Sequence, residues 1–122
     1  MKKAAILLIC LLFLNLFFGC SEKEELTPFS VNEYSYFTET FPSSLVLGEI
    51  QNSEDAKSYA EQVWVSTYGD QVLFQKPYQV LWDDVDRVFL VKGTLHFYES
   101  GGVAHILIHA DTGRVLAVWH EK

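Results

Sequence analysis

The spacing of apolar side chains changes once along this chain, and that change limits the fold more than any other feature. Ala56, Tyr59, Ala60, Val63 and Thr67 recur at intervals of three and four, the repeat of one helix face. Ser53 stands where a capping side chain is needed, and Glu54 and Asp55 fall in the first turn, where the helix dipole favours negative charge. Gly69 occupies the stop position, so the pattern predicts a helix over Glu54–Tyr68. After Asp70 the period becomes two. Val72–Gln75, Tyr78–Trp82, Val88–Lys92, Thr94–Glu99, Val103–Ala110 and Arg114–His120 read as short strands. They are divided by Lys76-Pro77, Asp83-Asp84-Val85-Asp86, Gly93, Gly101-Gly102 and Asp111-Thr112-Gly113. One helix followed by four to five antiparallel strands is an α+β domain, with the helix packed on one face of a curved meander sheet.

The last two hairpins have a calculable register. A two-residue Gly101-Gly102 turn pairs Ser100 with Val103 and sets Tyr98 opposite His105, His96 opposite Leu107 and Thr94 opposite His109. A three-residue Asp111-Thr112-Gly113 turn, with Gly113 at positive φ, pairs Ala110 with Arg114, Ile108 with Leu116 and Ile106 with Val118. One face then carries Leu95, Phe97, Ala104, Ile106, Ile108, Leu116 and Val118, and packs on Tyr59, Ala60 and Val63 of the helix. The opposite face carries Thr94, His96, Tyr98, His105, Leu107, His109, Val115, Ala117 and Trp119. Such a mixture of rings and aliphatics is typical of protein interfaces, because it buries much area for little lost side-chain entropy. Three uses of this face are open: coverage by the chain's own N-terminal segment, docking of another protein, or a small-molecule cleft.

The N-terminus reads as a leader. Lys2 and Lys3 precede the apolar run Ala4 to Phe18, which is too short to span a bilayer and ends in Gly19-Cys20-Ser21. Gly19-Cys20 after such a run resembles the lipobox of bacterial lipoproteins, which implies cleavage after Gly19 and acylation of Cys20. Residues 1–19 are then a lipoprotein signal peptide, 20–48 a lipid-anchored tether and 49–122 the folded domain. The expected location is the bacterial cell envelope, on the periplasmic or surface face of a membrane. Cys10 leaves with the leader and Cys20 carries lipid, so the domain has no disulfide to rely on. Phe29, Tyr34, Tyr36, Phe37 and Phe41 are too many rings for a fully solvated tether and suggest a strap on the domain surface, with Leu45 to Leu47 able to add an edge strand.

Charge narrows the partners. The chain has 9 Lys plus Arg against 16 Asp plus Glu, a net charge of -7. Loss of Lys2 and Lys3 with the leader would leave seven basic residues against the same sixteen acids, or -9. Phosphate binding requires clustered Lys or Arg, so nucleic acid is not an expected partner. Asp83, Asp84 and Asp86 lack the glycine and distal glutamate of a calcium loop and read as a solvated acidic turn. His105 and His109 are four strand residues, about 13 Å, apart and cannot share an ion. With no G-x-S-x-G motif, no cysteine left after processing and no phosphate cradle, the chain is not expected to be an enzyme and no cofactor or small-molecule substrate is inferred.

From Asp55 to Lys122 an ordered series of short motifs recurs: Ala56 and Ala60 in a helix closed by Tyr68-Gly69; Lys76-Pro77-Tyr78; Val91-Lys92-Gly93-Thr94-Leu95; Gly101-Gly102-Val103 followed by Ile106 and Ile108; Gly113 with Val115-Leu116; then His120 and Lys122. This series resembles a family of small bacterial immunity proteins of nuclear-transport-factor-two-like, or cystatin-like, fold found in polymorphic, Rhs-type toxin systems. The resemblance implies a protein that binds a cognate toxin and neutralises it by stoichiometric blockade. On that reading Tyr98, His105, Leu107 and Trp119 are the expected contact face, and Asp83, Asp84 and Asp86 a patch that steers a basic toxin. Asp111-Thr112-Gly113 before Val115-Leu116 also resembles the turn of PepSY domains, so a PepSY-like or other non-enzymatic envelope module is the alternative.

Overall fold

The computed structural model describes residues 25–42, 45–96 and 101–121. The leader and Cys20 lie outside the described residues, as do Phe97 and Tyr98. Five strands form one sheet in the order β1 Thr27–Pro28, β2 Gln79–Asp83, β3 Val88–Lys92, β4 Ala104–His109 and β5 Val115–His120. Strands β2 to β5 are an antiparallel meander, as expected, whereas β1 joins β2 in parallel and makes the sheet mixed. Helix α1 spans Ser35–Thr40, and α2 spans Ser53–Tyr68. The fold is α+β.

Helix α2 forms where the three-four repeat places it, but its cap is Asn52 rather than Ser53. The Asn52 side chain accepts from the Asp55 amide at 2.9 Å, while Ser53 is buried inside the first turn. Ala56, Ala60, Val63 and Trp64 then face the sheet. The small side chains at 56 and 60 let the helix approach closely enough for Trp64 to be fully buried. A ring that size removes roughly 150–250 Å² from water, worth about 4–6 kcal/mol at ~25 cal/mol per Å². Its indole N–H donates to the carbonyl of His105 on β4 at 3.3 Å, so the burial leaves no orphaned donor. At the other end Gly69 adopts φ 85, ψ −176, a conformation open almost only to glycine, and turns the chain out of the helix.

Val72–Gln75 is not a strand. Asp70–Gln75 is a 3-10 segment that sends Val72 into the core and leaves Leu73 and Phe74 outside. Three apolar residues in a row fit either structure locally; the decision comes from Gln75, whose backbone carbonyl accepts from Thr94 at 2.7 Å and whose side chain accepts from Ala104 at 2.8 Å. Thr94–His96 is not a strand either, and the rest of that expected run lies outside the described residues. Strand β3 takes the place beside β4, so Lys92, not Tyr98, opposes His105, and Leu90 opposes Leu107. Gly93 packs so closely against Gln75 that a Cβ there would collide with the Gln75 side chain. Leu95, expected in the core, is 44% exposed.

The final hairpin keeps the expected Ile106–Val118 pair, and Gly113 has φ 71. A bulge between Leu107 and Ile108 then pairs Ile108 with Val115 instead of Leu116. Because one extra residue reverses the side-chain alternation, Val115 joins the helix-side core and Leu116 moves to the opposite face. Leu45, Val46 and Leu47 contribute one bridge, Val46 to Arg114, with flanking bonds to Val115 and Gly113.

Candidate partner-binding site

The aromatic face of the sheet is covered. Val88, Leu90, Leu107, Ala117 and Trp119 form a second apolar cluster, and Phe29, Val31, Tyr34, Phe37 and Phe41 from the N-terminal segment pack on it. That segment is therefore a third layer over the sheet and not a linker. Trp119 sits between two parallel rings, with Phe37 centred 4.1 Å from it and His105 centred 4.9 Å away. Tyr34 closes a third side at 5.4 Å. Leu107 is fully buried, and His105 and Trp119 are 5% and 9% exposed. The expectation that His105, Leu107 and Trp119 offer an open docking face is corrected by this packing: the strap occupies the face. Tyr98 lies outside the described residues.

That burial disfavours the charged form of His105. Desolvation lowers its pKa below the ordinary 6.5, against the opposing pull of the Val103 carbonyl and Glu121. Its Nδ1 is 2.9 Å from the Val103 carbonyl, to which it donates, and Nε2 is 3.7 Å from Glu121 Oε1. The Trp119 indole nitrogen is buried without a hydrogen-bond partner among the described residues.

The three aspartates of the β2–β3 turn separate into different roles. Asp83 is buried at 3% exposure and is a structural acceptor. Its Oδ1 accepts the amides of Val85 and Asp86, each at 3.0 Å, and Oδ2 accepts the amide of Val31 in the strap at 2.7 Å. Burial alone would raise its pKa, but the three amide donors outweigh it and hold the carboxyl below its usual range. Asp83 is thus excluded from a steering surface by its own hydrogen bonds. Asp84 and Asp86 are exposed, and between them Val85 is 89% exposed. Arg87, at φ 57, closes the turn: its guanidinium pairs with Asp111 at 3.0 Å and lies 5.5 Å from the Trp82 ring centre. The turn is a fixed acidic tip with one aliphatic side chain at its apex. Sequence reasoning missed Val85; the signal for it was an apolar residue centred in a turn whose other members are all charged.

A shallow cleft of about 580 Å³ runs between α2 and the Lys76-Pro77-Tyr78 segment. Glu61 lines it, accepting from Tyr78 at 3.0 Å and from Lys76 at 2.9 Å. Those bonds, the Lys76 contact foremost, lower the Glu61 pKa. Burial, aided by Glu61, pushes the Tyr78 hydroxyl well above its usual range. The charges of this cleft satisfy one another and tie α2 to the start of β2.

The family model described as NTF2 fold immunity protein matches residues 56–122, a span that runs from the first turn of α2 through β5 and leaves out the strap. No curated protein and no solved structure matches the chain.

Proposed function

This chain belongs to the NTF2 fold immunity protein family, and on that premise we propose that it protects its producer by binding a cognate toxin one to one and blocking it. The observation that carries the reading is the family match over α2 and the whole antiparallel meander. Charge supports it. A net charge of -7 and a rigid tip presenting Asp84 and Asp86 suit a basic partner, since opposite fields accelerate encounter and suppress wrong pairings. Blockade asks for no chemistry from the chain itself, which is proposed to be a binding protein and not an enzyme. Acylation of Cys20 is proposed to hold it at an envelope membrane, where it meets the toxin during entry or at an envelope target.

The test is coexpression with the toxin encoded beside its gene. Cells making the wild-type chain survive, and the purified pair elutes as a one-to-one complex. Survival without any complex formation would sink the blockade mechanism. The anchor is tested separately with a fatty-acid analogue, which labels the wild type and not Cys20→Ser.

A further inference from the structure

Large apolar side chains exposed singly on a protein surface need no explanation, but several gathered at one end do. Leu73 and Phe74 are 39% and 73% exposed on the 3-10 segment, Tyr68 is 37% exposed at the end of α2, and Leu95 is 44% exposed just after β3. Gln75 and His120 tie them into one surface. Gln75 bonds through its backbone to Thr94, beside Leu95, and through its side chain to Ala104 at the start of β4. Its amide nitrogen is 3.2 Å from Nε2 of His120, and the Tyr68 ring packs edge-on against His120 at 5.6 Å. Four sequence-distant segments are therefore pinned around one glutamine, and the apolar groups are presented by fixed backbone. Such a surface loses little entropy on binding.

Two carboxylates, Asp70 and Glu121, flank this surface. Asp70 opens the 3-10 segment and makes no ion pair among the described residues. Glu121 follows His120, and among the described residues its ion-pair partner is the buried His105, whose pKa desolvation lowers; Lys92 opposes His105 on β3. Two copies of this chain meeting here would bring like carboxylates together on molecules of net charge -7. A basic protein surface meets no such penalty.

We propose that the end surface formed by Tyr68, Leu73, Phe74 and Leu95 is the docking site for the basic face of the cognate toxin, with Phe74 as its central anchor. This inference rests on the immunity reading and assigns it a place. All four residues lie within the family-matched span, whereas the strap lies outside it.

The experiment measures calorimetric affinity of the purified full chain, strap included, for the toxin encoded beside its gene. Phe74 is exposed, so Phe74→Asp leaves the melting temperature close to wild type and weakens binding by roughly thirtyfold or more, the size of a hot-spot truncation. Asp70→Lys slows association and flattens its salt dependence. Tyr36→Ser removes an equally exposed ring, 72%, from the strap and leaves the affinity unchanged. Wild-type affinity in Phe74→Asp, or an equal loss in Tyr36→Ser, overturns the assignment while the immunity reading stands. A wild-type dimer by light scattering that Phe74→Asp dissolves assigns the surface to a second copy and overturns it also. Absence of any binding by the wild type removes both proposals.

Discussion

The Phe37 ring lies flat on the Trp119 indole, with 4.1 Å between centroids and 7° between planes. This stack joins the N-terminal strap to the last strand and, with Tyr34 beside it, converts what would be an open aromatic sheet face into the second core of the protein. The strap itself has no fully buried residue in its 3-10 turn, Val31–Tyr34, or in α1. Its hold on the sheet therefore depends on the short parallel pairing of β1 with β2, on a few half-buried rings and on the Asp83–Val31 bond.

Phe37→Ala tests that dependence. A fully buried phenylalanine truncated to alanine costs about 3–5 kcal/mol, and a half-buried one about half as much. The expected result is a stability loss of about 2 kcal/mol in urea unfolding, with Trp119 emission shifted to longer wavelength and new protease cleavage before residue 45. The helix-side core, centred on Trp64, stays intact because it does not touch the stack. Unchanged emission and unchanged protease resistance would show that the strap is not held by this ring pair.

Asp83 couples the strap to pH. Its carboxyl is held below the ordinary 3.8 in the folded state by the amides of Val31, Asp86 and Val85, against the effect of burial. A depressed folded pKa means that the unfolded chain takes up the proton first. The stabilisation is thus complete at neutral pH and disappears as pH falls below about 4. Asp83→Asn keeps the shape but loses the charge-assisted acceptor and leaves at least one amide with a poorer partner, costing about 1–3 kcal/mol at pH 7. Its unfolding free energy then varies less between pH 5 and pH 3 than that of the wild type. Parallel pH profiles for the two proteins would contradict the role assigned to this carboxylate.

The helix and the strands β3, β4 and β5 are legible because each buries a regular face: three-four spacing brings Ala56, Ala60 and Val63 to the core. The Ile106–Val118 pair is met for a different reason than expected, since the hairpin closes at His109 and Arg114 instead of Ala110 and Arg114, and the bulge at Leu107 and Ile108 offsets that change by one residue. What escaped was decided by groups far away in the chain. The rings at 29, 34, 37 and 41 announced a strap, yet where it lies depends on the parallel pairing of Thr27 with Leu81 and on the bond to Asp83, neither of which has a local signature. Val72–Gln75 and Thr94–His96 depart from the expected strands for one reason. Both segments meet at Gln75, which uses its backbone and side chain to bind Thr94 and Ala104, and a period-two pattern carries no trace of such a knot. The proposed docking surface is least legible, since Leu73 and Phe74 look like core residues until the 3-10 geometry turns them outward.

Gly113 has two separate reasons to be glycine, and they can be distinguished. Its φ of 71 is in the left-handed region, which costs an alanine about 1–2 kcal/mol. In addition, a Cβ at 113 would run into the backbone of Gly48, where the chain crosses the β4–β5 turn and Leu47 donates to the Gly113 carbonyl at 2.8 Å. Gly69 also has positive φ, but open space surrounds the position of its missing Cβ. Gly69→Ala therefore measures strain alone, of order 1–3 kcal/mol, whereas Gly113→Ala adds a collision between two backbones that must separate. The expected order is a larger stability loss for Gly113→Ala, accompanied by faster amide exchange at Leu47 and Val115, whose bonds hold the crossing segment. Equal losses with unchanged exchange at those amides would mean that the crossing yields freely and that backbone strain is the whole constraint.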